Sequence, residues 1–178
     1  MNAKRLFSMS ILLALFLTAG GTALAGEWTV KAVAPLQGEG QVFEVAPGKL
    51  LIQATFTGII YCENAQGDLD KTLILCPAVL TLDKKTERIE GNGYCTITND
   101  QGDIIYAEWK NAGMLGETEG EFIITGGTGI FKGISGGGKM EFRAALVDTI
   151  VGLKNGATVR AATGLVVWPA LKYTIPGR

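Results

Sequence analysis

From residue 26 onward, apolar and polar side chains alternate with period two. No stretch carries the three-to-four-residue stripe of an amphipathic helix. Residues 28–34 (WTVKAVA) set Trp28, Val30 and Ala32 against Thr29, Lys31 and Val33. In residues 50–61 (LLIQATFTGIIY), Leu50, Ile52, Ala54 and Phe56 share one face, and Gln53, Thr55 and Thr57 share the other. Further strands are predicted at 72–82, 91–98, 104–110, 119–125, 138–147, 159–167 and 171–175. In 104–110, Ile105, Ala107 and Trp109 oppose Tyr106, Glu108 and Lys110. In 138–147, Met140, Phe142, Ala144 and Leu146 oppose Lys139, Glu141, Arg143 and Ala145.

Polar, glycine-containing turns separate these runs at 64–68, 99–103 and 154–156. About eight strands joined by short turns predict an all-β fold, an antiparallel closed barrel or a sandwich. The barrel is favoured because closure removes exposed edges. Gly58, Gly91, Gly93 and Gly120 within strands suit the bends that tight curvature needs.

The first 25 residues follow a different pattern. Lys4 and Arg5 precede a short apolar core, residues 11–17, and small residues end in Ala23-Leu24-Ala25. This is the pattern of a signal peptide cleaved after Ala25, with a bacterial look and a periplasmic or secreted destination. The apolar run is too short to cross about 30 Å of hydrocarbon, so no membrane span is expected after cleavage. Residues 26–178 are expected to form one domain. Removing 25 of the 178 residues leaves 153. The removed part holds two of the 16 basic residues and none of the 17 acidic ones, so the remainder has a net charge of −3.

That balance offers no electrostatic basis for nucleic acid as a partner. A hydrophobic share of 47% with 19% charged residues argues against disorder. An outer-membrane barrel is disfavoured, because the outward faces carry Lys139, Glu141 and Arg143, or Glu119 and Glu121. The chain has no histidine, which excludes Ser–His–Asp and Cys–His catalysis and any imidazole metal site. No cofactor motif is present, and no metal is expected.

Cys62, Cys76 and Cys95 allow three pairings in an oxidising compartment. Strand register favours one of them. If Leu82 faces Ile89 across a hairpin, then Leu80 faces Gly91, Ala78 faces Gly93 and Cys76 faces Cys95. Directly opposed residues lie within disulfide reach. Cys62 would then be a buried thiol with no adjacent base to activate it.

Seven glycines fall between Gly126 and Gly138. The segment lacks both the phosphate-loop and the dinucleotide spacings, and a strand follows it instead of a helix. It is therefore read as a tight turn. The residues Gly126-Gly127-Thr128-Gly129-Ile130-Phe131-Lys132-Gly133-Ile134-Ser135-Gly136 resemble the turn signature of the allene oxide cyclase and dirigent-like barrels. They also resemble small exported bacterial proteins with that barrel, in which a segment like Gly91–Cys95 precedes a turn matched by Asp100-Gln101-Gly102-Asp103. The resemblance spans roughly residues 60–146. It implies an eight-stranded, calycin-like antiparallel barrel with a central cavity, often oligomeric, so a homo-oligomer is among the expectations. Gly126, Gly127, Thr128, Gly129, Phe131, Gly133 and Gly136 would shape a turn and carry no chemistry. No catalytic residue of the family is matched.

Candidate chemistry is sparse. Asp68, Asp70, Asp100 and Asp103 sit in turns and could ligate calcium, but neither loop alternates as a dedicated site does, and solvated turn residues are the favoured reading. Glu63 and Glu108 are the carboxylates best placed to enter a cavity as a general acid or base. Tyr61, Tyr94, Tyr106 and Trp109 are the candidate pocket lining, with core packing as the alternative. The favoured function is an exported barrel that binds a small apolar or amphipathic ligand. The alternatives are a cofactor-free cyclase or isomerase, and a structural or interaction protein of the cell envelope with a filled barrel.

Overall fold

In a computed structural model, residues 26–65, 67–144 and 156–178 are described. The expected signal peptide, and residues 145–147 of the seventh expected strand, lie outside them. Eight antiparallel strands, each hydrogen-bonded to the next in the chain, close into one barrel when β8 pairs with β1. They are β1 (Gly26–Ala46), β2 (Lys49–Cys62), β3 (Thr72–Asp83), β4 (Arg88–Thr98), β5 (Ile104–Met114), β6 (Glu117–Gly127), β7 (Ser135–Ala144) and β8 (Thr158–Ile175).

The period-two pattern translates directly into inside and outside. On β1, Val30, Ala32, Ala34, Leu36 and Val42 face the core. On β2, Leu50, Ile52, Ile60 and Cys62 do so, and on β5, Ile105, Ala107 and Trp109.

Most strands run a few residues beyond the pattern, and two elements are much longer than it predicts. β1 runs on to Ala46, past Pro35, Gly38 and Gly40, which are poor strand formers in isolation. It is held on both sides, with Leu36 opposite Gly58 on β2 and Gly164 on β8. The runs at 159–167 and 171–175 form one strand, β8, because the intervening residues make a bulge. Val30 pairs with Leu171 but Ala32 pairs with Trp168, so β8 carries one extra residue there. The bulge accommodates Pro169 and switches the parity of the strand. Val166 and Trp168 are buried before it, and Leu171, Tyr173 and Ile175 after it.

The β3–β4 register is the expected one. Leu82 opposes Ile89, Leu80 opposes Gly91 and Ala78 opposes Gly93. Cys76 and Cys95 form a disulfide with Cα atoms 4.2 Å apart, and Cys62 is a buried free thiol.

One end of the barrel is sealed. There the β6–β7 connection turns inward through a short 3-10 segment, Gly129–Phe131, and sets Phe131 and Ile134 into the core beside Ile97, Ile105 and Leu69. The turn is locked to the β4–β5 connection. The Thr128 amide donates to the Ile104 carbonyl at 2.8 Å, and the Ile104 amide donates to Thr128 Oγ1 at 2.9 Å. The Ile130 amide donates to Asp103 Oδ2 at 3.3 Å. Gly129, at φ +53°, leaves no room for a side chain, since a Cβ there would overlap the Asp103 carboxylate. The glycine-rich segment and the Asp100–Asp103 turn, far apart in sequence, are thus one structural unit.

Candidate functional site

The inward faces of the strands leave two adjoining spaces in the bore. The inner one has a volume of about 30 Å³. It lies among Phe122, Met140, Trp109, Trp168 and the disulfide sulfurs' residues, Cys76 and Cys95. The outer one, about 90 Å³, lies toward the end formed by the β5–β6 turn, among Ile52, Ile89, Leu115, Gly116 and Ala144. Phe56, Leu80, Asn111 and Phe142 line both. Phe56 and Phe142 meet edge-on with ring centroids 5.9 Å apart, and Phe122 and Trp168 do the same at 5.3 Å. Among the described residues no ionisable side chain lines either space. The polar residues of the lining are Asn111, Thr118 and Thr163. The walls are those of an apolar site, with a volume well below the roughly 300–1,000 Å³ of a typical ligand pocket.

Of the four aromatic residues expected to line a pocket, only Trp109 lines the bore, while Tyr94 borders an open cleft on the outer surface with Glu39, Gln53 and Val79. Tyr61, Tyr94 and Tyr106 stand on the outer surface, 44%, 69% and 42% exposed. The reason is strand parity. Tyr106 and Trp109 are three residues apart on β5 and so project from opposite faces. On β2, Tyr61 lies between inward Ile60 and Cys62. On β4, Tyr94 precedes inward Cys95.

Neither candidate carboxylate reaches the bore. Glu63 leaves the barrel in the β2–β3 connection and pairs with Lys31 at 3.3 Å on the surface. Glu108 shares the outward face of β5 with Tyr106 and Lys110. The turn aspartates act within the fold. Asp70 Oδ1 accepts the Cys62 amide at 2.9 Å, Asp68 pairs with Arg178, and Asp103 braces the β6–β7 turn. Among the described residues no group of three metal-ligating side chains gathers.

Cys62 and Tyr173 form a second buried polar site at the sealed end. Burial pushes the Cys62 thiol up to about 11, with the Asp70 charge adding to the effect. Burial likewise pushes the Tyr173 phenol up to about 12. Trp28 stacks on Tyr173 with ring centroids 6.4 Å apart. Both groups stay protonated at neutral pH, so Cys62 is no nucleophile there.

Sequence alone does not mark Asn111, Thr118 and Phe142 as pocket residues. Phe142 falls on an apolar face of its run, and the signal for Asn111 is its place in phase with Ile105, Ala107 and Trp109. A comparison with protein-family models and with curated proteins returns no match for this chain. Among the described residues no helix is long and apolar enough to cross a membrane.

Proposed function

We propose that this protein is an exported barrel that binds a small apolar or amphipathic molecule in its bore. The observation that carries the reading is the pair of adjoining apolar spaces, the outer of which lies toward the β5–β6 turn. A cyclase or isomerase working by acid–base chemistry needs an ionisable group in the bore, and the described lining offers none.

Export is supported by the three-part pattern of residues 1–25 and by the Cys76–Cys95 disulfide, which suits an oxidising compartment. Charged outward residues such as Glu119, Glu121 and Lys139 suit a barrel whose exterior faces water. Kinship with allene oxide cyclase and dirigent-like barrels belongs to the same proposal. It rests on the Gly126–Gly136 turn and the closed eight-stranded topology. A homo-oligomer is proposed through the exposed apolar strip of Ile59, Tyr61, Leu73 and Leu75, and sedimentation velocity tests it.

Native mass spectrometry of protein recovered from its own compartment tests the binding reading. The expected result is an extra mass removed by organic extraction. A ligand-free spectrum, together with no quenching of Trp109 and Trp168 fluorescence by any apolar probe, would sink it.

A further inference from the structure

Asn111 projects inward from β5 and lines both spaces. It stands in a cross-strand row that runs Leu80, Gly91, Asn111, Gly120, Met140. The glycine on either side leaves the amide room. A Cβ at Gly91 would come within 3.2 Å of Asn111 Oδ1, and one at Gly120 would collide with the β5 backbone. Asn111 Nδ2 donates to Thr118 Oγ1 at 2.8 Å. Its Oδ1 is buried and accepts no hydrogen bond. Trp168 lines the inner space, and its Nε1 is a second buried polar atom, a donor with no acceptor.

A buried polar atom without a partner is costly, so two of them on residues that line one apolar cavity are a standing demand for a ligand group. We infer that the occupant is a neutral molecule with an apolar body and a single hydroxyl group. The hydroxyl donates to Asn111 Oδ1, with its oxygen available to Trp168 Nε1. This inference rests on the binding reading above and adds the chemical class of the ligand.

A hydroxyl is both donor and acceptor, so it answers both orphaned atoms. If the amide is turned end for end, Thr118 donates to Oδ1 and the amide nitrogen faces the cavity, and a hydroxyl still serves as acceptor. A carboxylate would be buried with no cation among the described lining residues, and an ammonium with no anion. A plain hydrocarbon fits the walls but leaves both polar atoms bare. A water held there in the empty protein strengthens the contrast, because a hydrocarbon that displaces it restores none of its hydrogen bonds.

The test uses four probes of one skeleton: benzyl alcohol, toluene, benzoate and benzylamine. Binding to the full folded protein is followed by isothermal titration calorimetry and by Trp109 and Trp168 fluorescence. Benzyl alcohol is expected to bind about tenfold more tightly than toluene, a difference of about 1.4 kcal/mol, with no measurable binding of the two charged probes. Asn111→Leu is expected to reduce the alcohol to the affinity of toluene while toluene still binds. Trp168→Phe is expected to narrow the same gap by removing the donor. Equal affinity for benzyl alcohol and toluene in the unaltered protein, or benzoate binding as well as the alcohol, overturns the hydroxyl inference and leaves the binding reading standing. Binding of none of the four overturns both. The comparison on the unaltered chain decides the matter even if a variant fails to fold.

Discussion

Opening the Cys76–Cys95 bond should cost about 3 kcal/mol of folding free energy. The bridge spans a sequence separation of 19 residues, so it closes a loop of that size in the unfolded chain. In the chain-entropy description such a loop contributes about 3 kcal/mol at 25 °C. The native state gives up little in return, since β3–β4 pairing on either side, Leu75 with Thr96 and Ala78 with Gly93, keeps the two residues in register without the bond. For a domain of this size, about 3 kcal/mol corresponds to a melting point lower by roughly 6–12 °C. With a urea slope of about 2 kcal/mol per molar, the midpoint falls by roughly 1.5 M. The assay compares oxidised protein, dithiothreitol-reduced protein and the Cys76→Ala/Cys95→Ala variant by circular dichroism. The reduced denatured chain is more expanded, so the slope itself should rise slightly. The double variant should be the least stable of the three, because both sulfurs also stand in the cavity wall. A difference of less than about 1 kcal/mol between oxidised and reduced protein would refute the loop-entropy reasoning.

Phe131→Ala should cost about 3–5 kcal/mol in urea unfolding, because the ring is fully buried in the sealed end; a loss below about 1 kcal/mol would contradict its role as a plug. Gly129→Ala should cost at least about 2 kcal/mol through its positive φ and its overlap with Asp103, and combining it with Asp103→Ala should cost less than the sum, since the two share one contact. Alkaline pH should destabilise the fold. Cys62 and Tyr173 are neutral when protonated and hold their protons more tightly when folded. Stability is therefore full below the unfolded thiol value of 9.0 and falls until about 11, and the phenol adds the same decline between 10.0 and about 12. Urea midpoints against pH check this, Cys62→Ala should flatten the first part of the decline, and a flat profile to pH 11 would disprove it. Glu63→Gln, Glu108→Gln and Tyr94→Ala should each change benzyl alcohol affinity by less than about twofold, whereas Trp109→Ala, which alters the cavity wall, should change it several-fold by calorimetry.

The strands, their inward faces and the Cys76–Cys95 pairing were legible along the chain because each is a matter of local parity. One side chain in two points inward, and a hairpin joined by a short turn carries its register from Leu82 and Ile89 back to the cysteines. The same rule, applied residue by residue, already separates Trp109 from Tyr106, and the tyrosines read as pocket residues lie outside because it holds for them too. Pairing with neighbours on both sides is what keeps β1 extended through Pro35 and Gly40, and a bulge opposite Val30 and Ala32 is what joins two short runs into β8. The lock between Asp103 and Gly129 likewise needs two turns, separated by the whole of β5 and β6, to meet at one barrel end. Asn111 shows the division most sharply. Its phase along β5 assigns it to the interior. That its Oδ1 faces an unfilled apolar space between Gly91 and Gly120 follows from how eight strands close on one another, because an empty volume belongs to no single segment of chain.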